Sequence, residues 1–206
     1  MSEAARAERA EPGRRTRPEI LALPNLISLS RILLTPVFVW MALARRPWEA
    51  FVVFLVAGAT DALDGFAARR LRLRTSAGLW LDPAGDKILL TAAFIVLSIP
   101  SVAAPNTLPL WLTGICIGRD VAIAGTALVL VALRGMRTFK PVLAGKASTI
   151  CQVLVLYVVL FLNALGRSSA VLPWLYALTA ALTLVSWAQY GIIGIGMLRR
   201  RPPAGL

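Results

Sequence analysis

Histidine is missing from all 206 residues, and with it goes the imidazole that most often serves as metal ligand or general base; carboxylates are left for both tasks. Charge is scarce as well, 16% of residues against about 25% in soluble proteins, so water is a poor solvent for this chain. The two cysteines, Cys116 and Cys151, are each embedded in apolar sequence and read as small hydrophobes rather than as a bridge. Acidic residues number 10 against 22 basic ones, a net charge of +12. The Lys and Arg residues stand mostly at the ends of apolar segments and not along one solvated face, so the excess reflects membrane topology, and nucleic acid is not an expected partner. The stretch from Met1 to Pro18 lacks the apolar core of a secretory signal and is expected to be disordered or to lie on the membrane surface.

What the chain has in abundance is apolar residues, 58% of the total, in runs of the roughly 20 residues needed to cross about 30 Å of hydrocarbon. They predict an all-α integral membrane protein with six transmembrane helices, at 25–44, 48–70, 78–100, 107–133, 145–165 and 171–198. The membrane domain extends over 19–201, between the arm 1–18 and a short tail 202–206. Pro24 with Asn25 and Ser28 opens the first helix, the Pro105, Asn106, Thr107 cluster breaks the chain between spans three and four, and Gly135 with Pro141 does so between four and five. Basic residues crowd the arm, the second connection (Arg69, Arg70, Arg72, Arg74), the fourth (Arg134, Arg137, Lys140) and the tail (Arg199, Arg200, Arg201). The opposite connections hold only Arg45, Arg46 and Arg167, which places both termini and the connection near 70–78 in the cytoplasm.

Asp61, Asp64, Asp82 and Asp86 fall inside or at the edges of apolar spans, where each ionised aspartate costs about 2.5 to 3.5 kcal/mol at a helix centre. Four of them imply an offsetting metal or a water-filled cavity. Asp61 and Asp64 are three apart and Asp82 and Asp86 four apart, so each pair projects from one helix face. A short turn joins the two helices, which makes them antiparallel and lets the four carboxylates converge near the cytoplasmic surface. Hard oxygen donors without histidine or thiolate suit magnesium, manganese or calcium rather than zinc. Gly65 and Ala68 continue the face of the first pair and Gly78 opens the next helix, leaving space beside the metals.

Asp61-x2-Asp64-Gly65-x2-Ala68-Arg69-x8-Gly78-x3-Asp82-x3-Asp86 resembles, position for position, the signature of the CDP-alcohol phosphatidyltransferases. Chance would supply it at a given start with a probability on the order of 10⁻¹⁰. The likeness covers most of the chain, since six spans with the signature across the second and third are what that family looks like, and Leu23-Pro24-Asn25 followed by Arg31 resembles its bacterial glycerophospholipid branches. The resemblance implies a bundle of that family's kind in a bacterial-type cytoplasmic membrane, with the active site at the cytoplasmic side, a homodimer, and CDP-diacylglycerol as phosphatidyl donor. It implies two Mg²⁺ or Mn²⁺ ions on Asp61, Asp64, Asp82 and Asp86, with Asp86 also the general base on the acceptor hydroxyl. Asp64, Gly65, Ala68, Arg69 and Gly78 would bind the CDP group.

Arg119 and Lys146, in the fourth and fifth spans, are candidates for acceptor recognition, and Arg119-Asp120 is equally readable as a buried ion pair. The Arg119-Asp120-Val121 segment, Pro141 and the run Gly145-Lys146-Ala147-Ser148-Thr149 look more like the cardiolipin synthases, whose acceptor is phosphatidylglycerol. The alternative is glycerol 3-phosphate, for which that branch commonly carries a lysine where this chain has Ser148. Readings of other classes are a divalent-cation transporter and a membrane prenyltransferase. Trp187 and Tyr190 read as aromatic anchors at the membrane interface.

Overall fold

The computed structural model describes residues 23–71, 78–134 and 143–199, and the side chains at 23–29, 61–71, 78–86, 127, 130–134, 195 and 197–199 lie outside what it describes. The expected arm 1–18 and tail 202–206 lie outside the described residues too. Six α-helices account for nearly all of the rest: α1 Leu23–Leu43, α2 Pro47–Leu71, α3 Gly78–Leu97, α4 Leu110–Arg134, α5 Leu143–Ala164 and α6 Leu172–Arg199. Their limits fall within about three residues of the apolar runs. The third and fourth helices stop short of expectation because Pro100, Pro105 and Pro109 punctuate the link between them; the Pro109 carbonyl then accepts the first amides of α4, from Leu112 at 3.0 Å and Thr113 at 3.2 Å.

Two of the connections are tight helix stops. After α1, Arg45 has φ +56°, its amide donates to the Ala42 carbonyl at 3.0 Å, and the Arg46 amide donates to Met41 at 3.0 Å. Gly166, with φ +63°, does the same after α5, its amide on Asn163 at 3.1 Å and that of Arg167 on Leu162 at 2.9 Å. Both are left-handed caps that satisfy the last carbonyls of a helix.

Neighbouring helices form a ring in the order α3, α1, α2, α5, α6, α4, closed by a lighter contact between α4 and α3. Phe38, Phe54, Phe94, Leu112, Leu156 and Leu160 fill its centre, with the Phe54 and Tyr157 rings edge to face at 4.9 Å between centroids. Polar residues are also inside: Ser148, Gln152, Thr179, Thr183 and Ser186 are buried, while Leu33, Val56, Ile95, Leu128, Ile150 and Ile192 face outward. An apolar exterior over a core with hydroxyls is the pattern of helices packed in lipid. Among the described residues, two helical segments, Leu143–Ala164 and Leu172–Gly194, are long and apolar enough to cross a membrane; Ser30–Leu43, Pro47–Thr60 and Lys87–Leu97 are shorter apolar stretches.

Candidate active site

The signature is split between the second half of α2 and the first half of α3. Counted back from the ends where α1 meets α2 and α3 meets α4, at 1.5 Å per residue, the Asp86, Asp61, Asp82 and Asp64 backbones lie between about 16 and 26 Å along the bundle. All four therefore sit at a common depth within about two turns. The side chains of these aspartates, and those of Ala68 and Arg69, are outside the described residues, as is any contact made by Gly65 or Gly78. The two helices are not simple neighbours: α1 packs on both, and among the described residues α2 and α3 share no extensive contact of their own.

At similar depth, the residue after Asp86 is the first of a charged group. Lys87 Nζ donates to Asp120 Oδ2 at 2.6 Å, and Arg119 Nη1 donates to Asp120 Oδ1 at 2.7 Å. The Arg119 side chain is only 6% exposed. It also donates through Nη2 to Ser186 Oγ at 2.9 Å and lies 5.7 Å from the centre of the Tyr190 ring. Arg119-Asp120 is thus a buried ion pair joined by a third charge from α3. Lys87 is the member that sequence reasoning missed, although a lysine within an apolar span is itself a signal that a partner exists.

Tyr190 faces inward against Arg119 and Gly145, not outward as an interfacial anchor. A Cβ on Gly145 would come within 3.0 Å of the Tyr190 hydroxyl and 3.2 Å of Arg119 Nη2, so glycine at 145 lets α5 and α6 close over the guanidinium. Trp187 keeps an exposed face. Lys146, in the first turn of α5, is exposed. Ser148 is fully buried against α6, its hydroxyl 2.9 Å from that of Thr183, with Gln152 Nε2 donating to both hydroxyls at 3.3 Å. Serine at 148 is accounted for by this seam, in which its hydroxyl is buried and hydrogen-bonded.

The family model of the CDP-alcohol phosphatidyltransferases matches residues 21–187. A CDP-diacylglycerol–glycerol-3-phosphate 3-phosphatidyltransferase of Bacillus subtilis is 37% identical over 123 residues, which cover 52% of this chain and 61% of that protein. A protein of the same name from Aquifex aeolicus is 30% identical over 178 residues, 85% of this chain and 97% of its own length. A CMP-forming cardiolipin synthase of Streptomyces coelicolor is 30% identical over 196 residues, 88% of this chain and 84% of its own. The matched stretch spans less than two thirds of several relatives, the Bacillus protein among them.

Proposed function

The chain belongs to the CDP-alcohol phosphatidyltransferase family, and on that premise we propose that it transfers a phosphatidyl group from CDP-diacylglycerol to an alcohol with release of CMP. The observation that carries the reading is the register of the signature, whose four aspartates stand at one depth on two helices flanking α1. Oxygen donors of this kind, without imidazole or thiolate, suit two Mg²⁺ or Mn²⁺ ions on Asp61, Asp64, Asp82 and Asp86. Bound there, the ions supply charge neutralisation of the diphosphate and of the departing CMP. Among the described residues no cluster of His, Cys, Asp or Glu could hold a metal, so this assignment rests on the signature alone.

The remaining work falls to the protein. Asp86 takes the proton of the acceptor hydroxyl, and Asp64, Gly65, Ala68, Arg69 and Gly78 form the cytidine diphosphate site. Phosphatidylglycerol is the proposed acceptor. Lys87 and Arg119 surround a single carboxylate, Asp120, which leaves one positive charge in excess beside the Asp86 position; that excess supports recognition of an anionic acceptor by Arg119. Lys146, exposed at the start of α5, would meet the acceptor at the mouth of the site. Glycerol 3-phosphate is the second reading, favoured by the names of the Bacillus and Aquifex relatives.

The setting is a bacterial-type cytoplasmic membrane crossed by all six helices, with the site and both termini on the cytoplasmic side and the chain paired as a homodimer. Trp40, Trp48, Trp111 and Trp174 support it: all four are exposed and stand at the end of the bundle away from the signature, as an interfacial aromatic belt would. The test uses purified protein in lipid with CDP-diacylglycerol and Mn²⁺ or Mg²⁺, offered phosphatidylglycerol and glycerol 3-phosphate separately. CMP released with the first acceptor and not the second supports the assignment; the converse moves it to glycerol 3-phosphate, and no CMP with either ends it.

A further inference from the structure

Between α1, α2, α3 and α5 lies a partly open cavity of about 260 Å³. Phe54, Leu90 and Val153 make its apolar wall, and Arg31, Thr149 and Tyr157 contribute polar atoms. Gly58 and Leu89 also line it, one helical turn from Asp61 and Asp86 respectively, so the cavity lies directly under both halves of the signature, on the tryptophan side. It is smaller than the roughly 300 to 1,000 Å³ of a drug-sized site, which suits a short polar segment of a lipid whose chains leave through the open side.

The two hydroxyls of the cavity differ. Thr149 Oγ1 donates to the Gly145 carbonyl at 3.1 Å, within its own helix. Among the described residues the Tyr157 hydroxyl reaches only the Phe54 carbonyl, at 3.4 Å, beyond the usual 2.5 to 3.0 Å of an O–H donor, and that carbonyl already serves the helical ladder of α2. Its proton is weakly engaged. The phenol owes its place to Gly58: a Cβ there would lie 2.0 Å from the Tyr157 oxygen and 3.3 Å from the ring carbon that bears it.

Building on the phosphatidyl-transfer reading, we infer that this cavity seats the ester-bearing glycerol segment of the lipid donor, with Tyr157 donating a hydrogen bond to an ester carbonyl. That segment follows the diphosphate in the donor, as the cavity follows the signature in the bundle. An ester carbonyl can only accept hydrogen bonds, and in an apolar enclosure a free donor is what it requires. Tyr157 is a specificity-determining residue on this view, and Gly58 positions it.

The experiment compares CMP release from CDP-diacylglycerol and from its diether analogue, which lacks the carbonyls, in the wild type, Tyr157→Phe, Gly58→Ala and the double variant. Tyr157→Phe should raise KM for the ester donor about fivefold, the worth of one neutral hydrogen bond, while KM for the ether donor and kcat with either stay within about twofold. Gly58→Ala should lower kcat/KM for the ester donor by about tenfold or more with tyrosine at 157, and by about threefold or less with phenylalanine there, because the clashing oxygen is gone. Equal KM changes for the two donors would overturn the hydrogen bond. A change that follows ester against ether linkage in the acceptor lipid would overturn the assignment to the donor. Absence of CMP from wild type with both donors would remove the phosphatidyl-transfer reading itself, a result distinct from either.

Discussion

Replacing Asp120 by asparagine leaves the shape of the side chain and removes the charge that two cations share. Asp120 accepts from Lys87 at 2.6 Å and from Arg119 at 2.7 Å, one oxygen for each. Asparagine keeps one acceptor and turns the other into a donor, so one cation loses its partner. Uncoupling a buried pair by removing one partner costs about 3 to 5 kcal/mol. The Lys87 side chain is 41% exposed and can turn to water, which reduces its share to under about 1 kcal/mol, whereas Arg119 at 6% cannot. The asparagine oxygen should therefore stay with Arg119, and the net loss should be about 2 to 3 kcal/mol. Lys87→Met, which leaves the Arg119 pair intact, should cost about 1 kcal/mol or less. Equilibrium unfolding in mixed micelles measures both; on the proposed acceptor role of Arg119, the acceptor KM should rise in Asp120→Asn while the donor KM does not, because the guanidinium keeps its hydrogen bond but loses its ionic partner. Equal stability losses in the two variants, or an Asp120→Asn protein within about 0.5 kcal/mol of wild type, would refute the assignment of the load to Arg119.

Three further outcomes follow from other parts of the molecule. Asp86→Asn should abolish CMP release while leaving CDP-diacylglycerol binding largely intact, whereas Asp61→Asn should weaken metal-dependent binding itself; equilibrium binding with and without Mn²⁺ separates the two. Asn163→Ala should destabilise by about 2 to 3 kcal/mol in thermal or denaturant unfolding, since Asn163 Nδ2 donates to the carbonyls of Ala103 and Asn106 at 3.1 and 3.0 Å and its oxygen accepts from Asn106 at 2.8 and 2.9 Å. The two left-handed caps should respond with opposite sign: Gly166→Ala should destabilise by about 1 kcal/mol and Arg45→Gly should stabilise by a similar amount, read as shifts of the unfolding midpoint.

Much of the fold is legible because its parts are local. An apolar run of about 20 residues bounded by proline, glycine or arginine specifies a helix without reference to anything else, and all six helices are found within a few residues of such runs. The fixed depth of the four aspartates is legible for the same reason, since residue spacing and helical rise determine it. The order of helices around the ring is not local. Nothing in the spacing of Leu, Ala and Val tells α2 to pack on α5 rather than on α3, because lipid accepts the apolar faces that packing leaves over. The same limit hid the partner of Lys87, which is 33 residues away, and the inward turn of Tyr190, whose ring meets a guanidinium on another helix. Asn106 is legible only as part of the break between the third and fourth spans; the return of the α3–α4 link to the end of α5 shows that it pairs with Asn163.

The placement of α1 has a consequence for the chemistry. Two helices packed face to face stand 8 to 10 Å apart and fill the space between them with side chains. Carboxylates on such faces would meet as bare like charges, with no volume for a nucleotide. In this bundle α1 is shared by α2 and α3, and among the described residues α2 turns its other packing to α5 and α3 a lighter one to α4. Among the described residues α1 is thus the common neighbour of the two signature helices. The proposed two-metal, diphosphate-sized site requires helices that are rigid in depth and leave space across. At the end of the bundle away from the signature, two short left-handed turns and the paired asparagines tie the loops down. Substitutions at these ties should therefore alter stability and leave the ratio of donor to acceptor KM unchanged, whereas those at Gly58, Tyr157 and Asp120 should alter that ratio.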